Sequence, residues 1–191
     1  MKIGILALQG DFHEHQSCFN KLEVNTHLVK SIEELNTCDS LVIPGGESTA
    51  ISKLLVSTKM DKVIAMKALE GFPIWGTCAG LILISNKIIE NDPEPLNLLN
   101  ITTSRNFYGR QIDSFVEKIS FENDDFEAIF IRAPKIIDIN KDIEILSSTR
   151  DGAPVAVRSN NIFGTSFHPE LTDDLRIHKM FVEMTSNNFK K

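Results

Sequence analysis

One cysteine sits between two glycines in Gly76-Thr77-Cys78-Ala79-Gly80, after the short apolar run Phe72-Pro73-Ile74-Trp75 and before Leu81-Ile82-Leu83-Ile84. The pattern predicts a strand, a sharp turn and a helix, with a thiol at the corner. G-x-C-x-G is the thiol counterpart of the G-x-S-x-G nucleophile elbow, in which small flanking residues permit a strained backbone, expose the nucleophile and aim the next amide at a developing oxyanion. Covalent acyl chemistry is the reading that follows. An ordinary tight turn around a core cysteine has the same local pattern, so partners elsewhere in the chain must decide.

Ser166-Phe167-His168-Pro169-Glu170 supplies two such partners after the last strand-like run. Proline fixes its own backbone angle and biases His168 toward an extended conformation, so His168 and Glu170, two apart, project to one side. A carboxylate beside an imidazole selects its tautomer and stabilises its cation, as the third member of a Cys-His-acid triad does. By itself the segment reads as a turn with an idle His and Glu; beside the cysteine elbow it acquires a role. Pro44-Gly45-Gly46-Glu47-Ser48 follows the run Leu41-Val42-Ile43 and precedes a helix for which Ser48 or Thr49 is the expected N-cap. Adjacent glycines let a main chain approach a ligand or turn an amide into an oxyanion hole, although a plain strand-to-helix connection uses them too. Arg105, in a loop-like stretch, and Arg132, at the end of a strand, are each able to hold a carboxylate or to stand as solvated charges, and the residues alone leave that open.

Two features are set aside. His13-Glu14-His15 lacks the spacing that puts two imidazoles on one helix face and has no evident third ligand, while Gly4 and Gly10 do not make a dinucleotide fingerprint. No metal and no cofactor is expected.

The elements that must position these groups alternate through the first half: strand 3–8, helix 13–22, strand 24–29, strand 39–43, helices across 48–70, strand 73–75, helix 79–86. Such alternation predicts an α/β fold, a parallel sheet covered on both faces. Strand-like runs at 115–121, 127–132, 143–149, 153–158 and 161–166, with turn signals at Asn123-Asp124-Asp125 and Asp151-Gly152, predict antiparallel or mixed pairing in the second half, and an amphipathic pattern over 172–184 predicts a closing helix. In open parallel sheets the ligand site lies beyond the carboxyl ends of the strands, where the turns after 3–8, 39–43 and 73–75 all fall. With 191 residues, 42% hydrophobic and 24% charged, the expectation is one soluble domain spanning 1–191. A formal charge of −6 with scattered Lys and Arg offers no footprint for nucleic acid. Cys18, Cys38 and Cys78 lack disulfide or zinc spacing, and the N-terminal apolar run is too short for a membrane span, so a cytoplasmic location and no membrane partner are expected.

With the elbow, the Phe167-His168-Pro169-Glu170 segment and the Pro44-Gly45-Gly46-Glu47-Ser48 turn in that order, the chain resembles the triad-type (class I) glutamine amidotransferases. Ala7-Leu8-Gln9-Gly10, Trp75-Gly76-Thr77-Cys78-Ala79-Gly80-Leu81-Ile82, Arg105-Asn106 with Gly109-Arg110-Gln111, Phe130-Ile131-Arg132-Ala133-Pro134 and His168-Pro169-Glu170-Leu171-Thr172 narrow the likeness to the glutaminase subunits of pyridoxal 5'-phosphate synthases. The resemblance implies a flavodoxin-like, three-layer fold with a mixed, mostly parallel sheet. It also implies hydrolysis of L-glutamine to glutamate and ammonia, the ammonia passing to a ring-building synthase subunit. Carried over by position, Cys78 is the nucleophile, His168 the acid and base and Glu170 its orienting carboxylate. Amides of Ala79 and of Gly45 and Gly46 form the oxyanion hole; Gly46, Glu47, Ser48, Arg105, Ile131 and Arg132 line the glutamine pocket. The resemblance further implies weak activity alone, with docking reordering the Gly45-Gly46 peptide. A sister glutaminase such as that of imidazole glycerol phosphate synthesis, a non-catalytic glutamine-binding module and a cysteine peptidase remain the alternatives.

Overall fold

Four short strands rich in Ile, Val and Leu are buried at every position and so must be covered on both faces; with a fifth, half-buried strand at the edge they pair side by side in parallel. The computed structural model describes residues 1–105 and 114–188. Its first half runs β1 (Ile3–Leu6), α1 (Phe12–Lys21), β2 (Thr26–Val29), α2 (Ile32–Leu35), β3 (Ser40–Ile43), α3 (Ser48–Thr58), α4 (Met60–Leu69), β4 (Ile74–Thr77) and α5 (Ala79–Ile84). The second half adds β5 (Ser85–Ile88), β6 (Leu99–Ser104), β7 (Ser114–Phe121), β8 (Asp124–Ile131), β9 (Lys135–Ile139), β10 (Glu144–Ser148), β11 (Pro154–Ser159), β12 (Ile162–Thr165), a 3-10 turn at Pro169–Leu171 and α6 (Arg176–Asn188).

The main sheet has the order β10-β11-β12-β4-β3-β1-β2. Strands β12, β4, β3, β1 and β2 are parallel neighbours, and β11 and β10 extend them antiparallel. Alternate residues go to opposite faces. Leu6, Leu41, Ile43 and Ile74 pack with Ile51, Leu55, Met60, Ile64 and Leu81 of α3, α4 and α5. Ile3, Ile5, Val42, Trp75 and Phe163 pack with Phe19 of α1 and Ile177 and Phe181 of α6. The result is the expected α/β arrangement of three layers.

Two satellites flank this body: a three-stranded sheet β5-β6-β9 and the hairpin β7–β8. Phe126 and Phe130 of the hairpin lie 5.7 Å, ring centre to ring centre, from Phe167, so the hairpin is clamped over the chain leaving β12. Among the described residues no helix is long and apolar enough to cross a membrane.

Several expectations are corrected. The helices expected across 48–70 are two, divided where Lys59 adopts φ 59°. Glu47, not Ser48 or Thr49, caps α3, its carboxylate accepting from the amides of Thr49 at 3.1 Å and Ala50 at 2.6 Å; Ser48 is the first helical residue. A longer acidic side chain reaches the same orphan amides that a serine cap serves, and it adds a charge favourable to the helix dipole. The final helix starts at Arg176 rather than 172, because the Pro169 turn precedes it. The turn of the hairpin β7–β8 falls at Glu122 and Asn123, both at positive φ, and Asp124 and Asp125 are already strand. Strands β5, β6 and β9 were not expected.

Candidate active site

Cys78 leaves β4 with φ 48° and ψ −102°, a conformation that side chains rarely adopt and that costs on the order of 1–3 kcal/mol. Two contacts hold it there. Its amide donates to the Thr165 carbonyl of the neighbouring β12 at 2.8 Å, and α5 lies flush against the sheet end. A Cβ on Gly80 would stand 2.0 Å from the Ile43 carbonyl oxygen, so only glycine permits this approach. The strained elbow of the sequence is therefore present, enforced by β3 on one side and β12 on the other.

Because β12 pairs in parallel with β4, Thr165 opposite Thr77, the segment after β12 emerges beside Cys78. The His168 amide donates to the Ile129 carbonyl of β8 at 2.8 Å, which fixes its backbone. Pro169–Leu171 then coil into a 3-10 turn instead of continuing extended, and this turn brings Glu170 under the ring. Glu170 Oε1 lies 2.7 Å from His168 Nδ1. Cys78 is among the groups that favour the charged form of this ring. The Sγ of Cys78 also faces the Ile131 carbonyl at 3.7 Å. Cys78, His168 and Glu170, spread over 93 residues of chain, thus meet at the carboxyl ends of β4 and β12.

Burial opposes charge on His168, but the hydrogen bonds to Cys78 and Glu170 and the charges of both outweigh it, raising the ring to about 10. Burial raises the Glu170 carboxyl above its usual range, against the pull of His168. His168 therefore holds its proton firmly, available for a leaving group.

The turn after β3 closes the site from the other flank. The Gly45 carbonyl accepts from the Asp11 amide at 3.1 Å, and the Glu47 amide donates to Gln9 Oε1 at 2.8 Å, so the loops after β1 and β3 are stitched together where strand order reverses. Gly45 lies against the imidazole; a Cβ there would be 2.4 Å from His168 Cε1. Ala79 follows Cys78 as the first residue of α5 and is buried. Arg105 Nη2 contacts Glu47 Oε1 at 3.3 Å and its Nη1 donates to the Asp92 carbonyl at 2.7 Å. Arg132, exposed and at φ 42°, follows Ile131 at the end of β8. Asn106, Gly109, Arg110 and Gln111 lie outside the described residues.

The structure also brings in groups the motif search passed over. Asp11 Oδ2 stands 3.6 Å from His168 Nδ1. Asp11, His168 and Glu170 each offer a donor atom within 4.8 Å of the others, though His168 Nδ1 is committed to Glu170. His15, set aside above, is fully buried; its Nε2 lies 3.2 Å from Thr77 Oγ1 and 3.5 Å from Glu170 Oε2. His178 of α6 lies behind it, Nε2 to His15 Nδ1 at 3.1 Å. The available signal was the spacing 11, 15, 18: Asp11, His15 and Cys18 fall on one face of α1, the last contacting the Glu170 carbonyl at 3.6 Å.

A family model described as the SNO glutamine amidotransferase family matches residues 5–187. A protein of Thermotoga petrophila named "Pyridoxal 5'-phosphate synthase subunit PdxT" is 48% identical over 187 residues, covering 96% of this chain and 99% of the relative. One of the same name from Dictyoglomus turgidum is 46% identical over 191 residues, covering 97% and 100%. A crystal structure described as a glutamine amidotransferase superposes with a TM-score of 0.92 at 36% identity, covering 96% of this chain and 98% of that one. A putative GMP synthase component from Thermoplasma acidophilum, TM-score 0.70 at 18% identity with coverage of 100% and 96%, shares the fold alone.

Proposed function

The chain belongs to the SNO glutamine amidotransferase family, and from that membership and the geometry of the elbow we propose that it hydrolyses L-glutamine to glutamate and ammonia as the glutaminase subunit of a pyridoxal 5'-phosphate synthase. The observation that carries the reading is the convergence of Cys78 at the strained elbow after β4 with His168 after the neighbouring β12, whose ring is held by the Glu170 carboxylate at 2.7 Å.

The Cys78 thiolate attacks the side-chain amide carbon of glutamine, and the carbonyl oxygen becomes an oxyanion facing the amides of Ala79 and of Gly45 and Gly46. As the carbon-nitrogen bond breaks, His168 gives its proton to the leaving nitrogen, which departs as ammonia. Much of what keeps that ring charged is the Cys78 thiolate itself. That support is lost as the sulfur bonds to the carbon, which eases this transfer, and the neutral ring then takes a proton from the attacking water. Water adds to the thioester, glutamate leaves and the thiol is restored. Glu170 holds the ring orientation through both halves.

Gly46, Glu47, Ser48, Arg105, Ile131 and Arg132 are assigned to the glutamine pocket, with the arginines available to the α-carboxylate of the free amino acid. The partner is the ring-building synthase subunit, whose docking reorders the Gly45-Gly46 peptide; the Gly45 carbonyl, tied to Asp11, and the Glu47 amide, tied to Gln9, mark the bonds that such a change rearranges. The chain is one glutamine amidotransferase domain, and its three free cysteines suit the cytoplasm. Glutamate release with and without the ring-building subunit is the test: a marked increase on docking is expected, equal rates refute the docking step, and no glutamate from the complex refutes the glutaminase reading.

A further inference from the structure

Glu170 has two oxygens, and only one is occupied. Oε1 takes His168 Nδ1, whereas Oε2 is buried and has no hydrogen-bond partner among the described residues. A carboxylate oxygen withdrawn from water without a donor is costly. The nearby polar atom from α1 is His15 Nε2, at 3.5 Å, and what faces Oε2 depends on which nitrogen of His15 carries the proton.

The contacts assign that proton. His15 Nδ1 and His178 Nε2 are 3.1 Å apart, so one donates and the other accepts. His178 Nδ1 is buried with no partner among the described residues. Buried orphan N–H groups are rarer than orphan acceptors, which places the His178 proton on Nε2, donating to His15 Nδ1. His15 then carries its own proton on Nε2, directed at Thr77 Oγ1 and the flank of Glu170. The opposite tautomers would turn a lone pair toward the carboxylate. Burial, with the neighbouring histidines, lowers His15 well below the usual range, and burial lowers His178 to about 3, so both rings are neutral and each has one proton to place.

We propose that His15, oriented by His178, is a positioning residue of the active site: its Nε2–H supports the second oxygen of Glu170 and so fixes the carboxylate that holds His168. This rests on the glutaminase reading above. Among the described residues the ionisable groups around the pair are His178 from α6, Glu170 and His168 from the turn after β12, Asp11 and Cys18 from α1 and Cys78 from the elbow; Phe19 of α1 and Trp75 and Thr77 of β4 add contacts without charge. Without the His15 donor Glu170 binds protons more tightly, so the proton shared with His168 shifts toward Glu170 and His168 is less well placed to give it to the leaving nitrogen.

The first test is the wild-type chain, with the two histidine tautomers read by nitrogen-15 NMR. Both rings neutral and protonated on Nε2 is expected; a His15 proton on Nδ1 overturns the proposal. The second is glutamate release in the complex with the ring-building subunit. His15→Leu should lower kcat about 10- to 100-fold, as loss of a supporting outer partner does elsewhere, leave KM little changed and move the alkaline limb of the pH profile to higher pH. His15→Gln, which keeps an N–H at similar reach, should recover most of kcat. A folded His15→Leu protein with wild-type kcat and pH profile overturns the proposal, as does a Gln variant no better than Leu. Wild-type complex that releases no glutamate would instead defeat the glutaminase reading, while the tautomer measurement would still decide where the His15 proton sits.

Discussion

The buried histidine pair makes the protein sensitive to mild acid, and His178→Phe isolates the effect. His178 has an ordinary value of 6.5 and is lowered by burial to about 3. Between those two values the unfolded chain binds a proton that the folded chain refuses, so stability falls as pH falls through that window and the loss is complete near pH 3. Each pH unit is worth about 1.4 kcal/mol, so His178 alone removes about 2 kcal/mol at pH 5 and about 5 kcal/mol by pH 3. Domains of this kind have roughly 5–15 kcal/mol in total. Phenylalanine keeps the ring edge-on to Trp75 and Phe19 but cannot take a proton. It also forfeits the bond to His15 Nδ1, which costs about 1–3 kcal/mol at every pH because an acceptor is left buried. The variant should therefore be less stable than the wild type at pH 7.5 and should close the gap, or overtake, near pH 5. Urea unfolding followed by Trp75 fluorescence from pH 5 to 8 measures the difference curve, in which carboxylates common to both proteins cancel. A difference between the two proteins that does not change with pH would refute the assignment of a buried, neutral His178.

Cys78→Ala should abolish glutamate release by about four orders of magnitude or more, as removal of a nucleophile does in comparable triads, measured on the complex. In the same variant the alkaline behaviour should change: His168 is raised, so its stabilisation is full below 6.5 and lost as pH rises through about 10, and removing the thiol should lower that upper midpoint in thermal melts. Gly45→Ala places a methyl group 2.4 Å from His168 Cε1, so the ring must move; kcat should fall about 100-fold or more, on the scale of losing one oxyanion donor. Glu47→Ala removes the cap of α3 and should cost about 0.5–2 kcal/mol of stability in urea unfolding. The same substitution frees Arg105 from its contact at 3.3 Å, and steady-state kinetics should show an altered KM for glutamine.

The alternation of apolar runs with helical segments, the G-x-C-x-G corner, the double glycine after β3 and the His-Pro-Glu segment are local patterns, and local patterns survive in a sequence because each is dictated by backbone sterics or by the chemistry of one short stretch. They suffice for the fold class and for the family, and they single out the three groups proposed to react. Boundaries were less legible. Lys59 breaks a helical run although lysine favours helices, because the packing of α3 and α4 on the sheet overrides propensity. Glu47 displaced the two better-known capping residues beside it because its carboxylate also answers Arg105 and its amide is held by Gln9.

His15 shows most clearly what a chain cannot announce. In the sequence it is the third residue of an unremarkable His-Glu-His, with the wrong spacing for a metal and no partner in view. In the fold its neighbours are His178, 163 residues away, and Glu170, brought there by the pairing of β12 with β4 and by a 3-10 turn. Residue types fix what a group is able to donate or accept. Which of those capacities is used depends on distances between segments far apart in the chain, and these exist only once the sheet order is set and water has been driven from between the helices and the sheet.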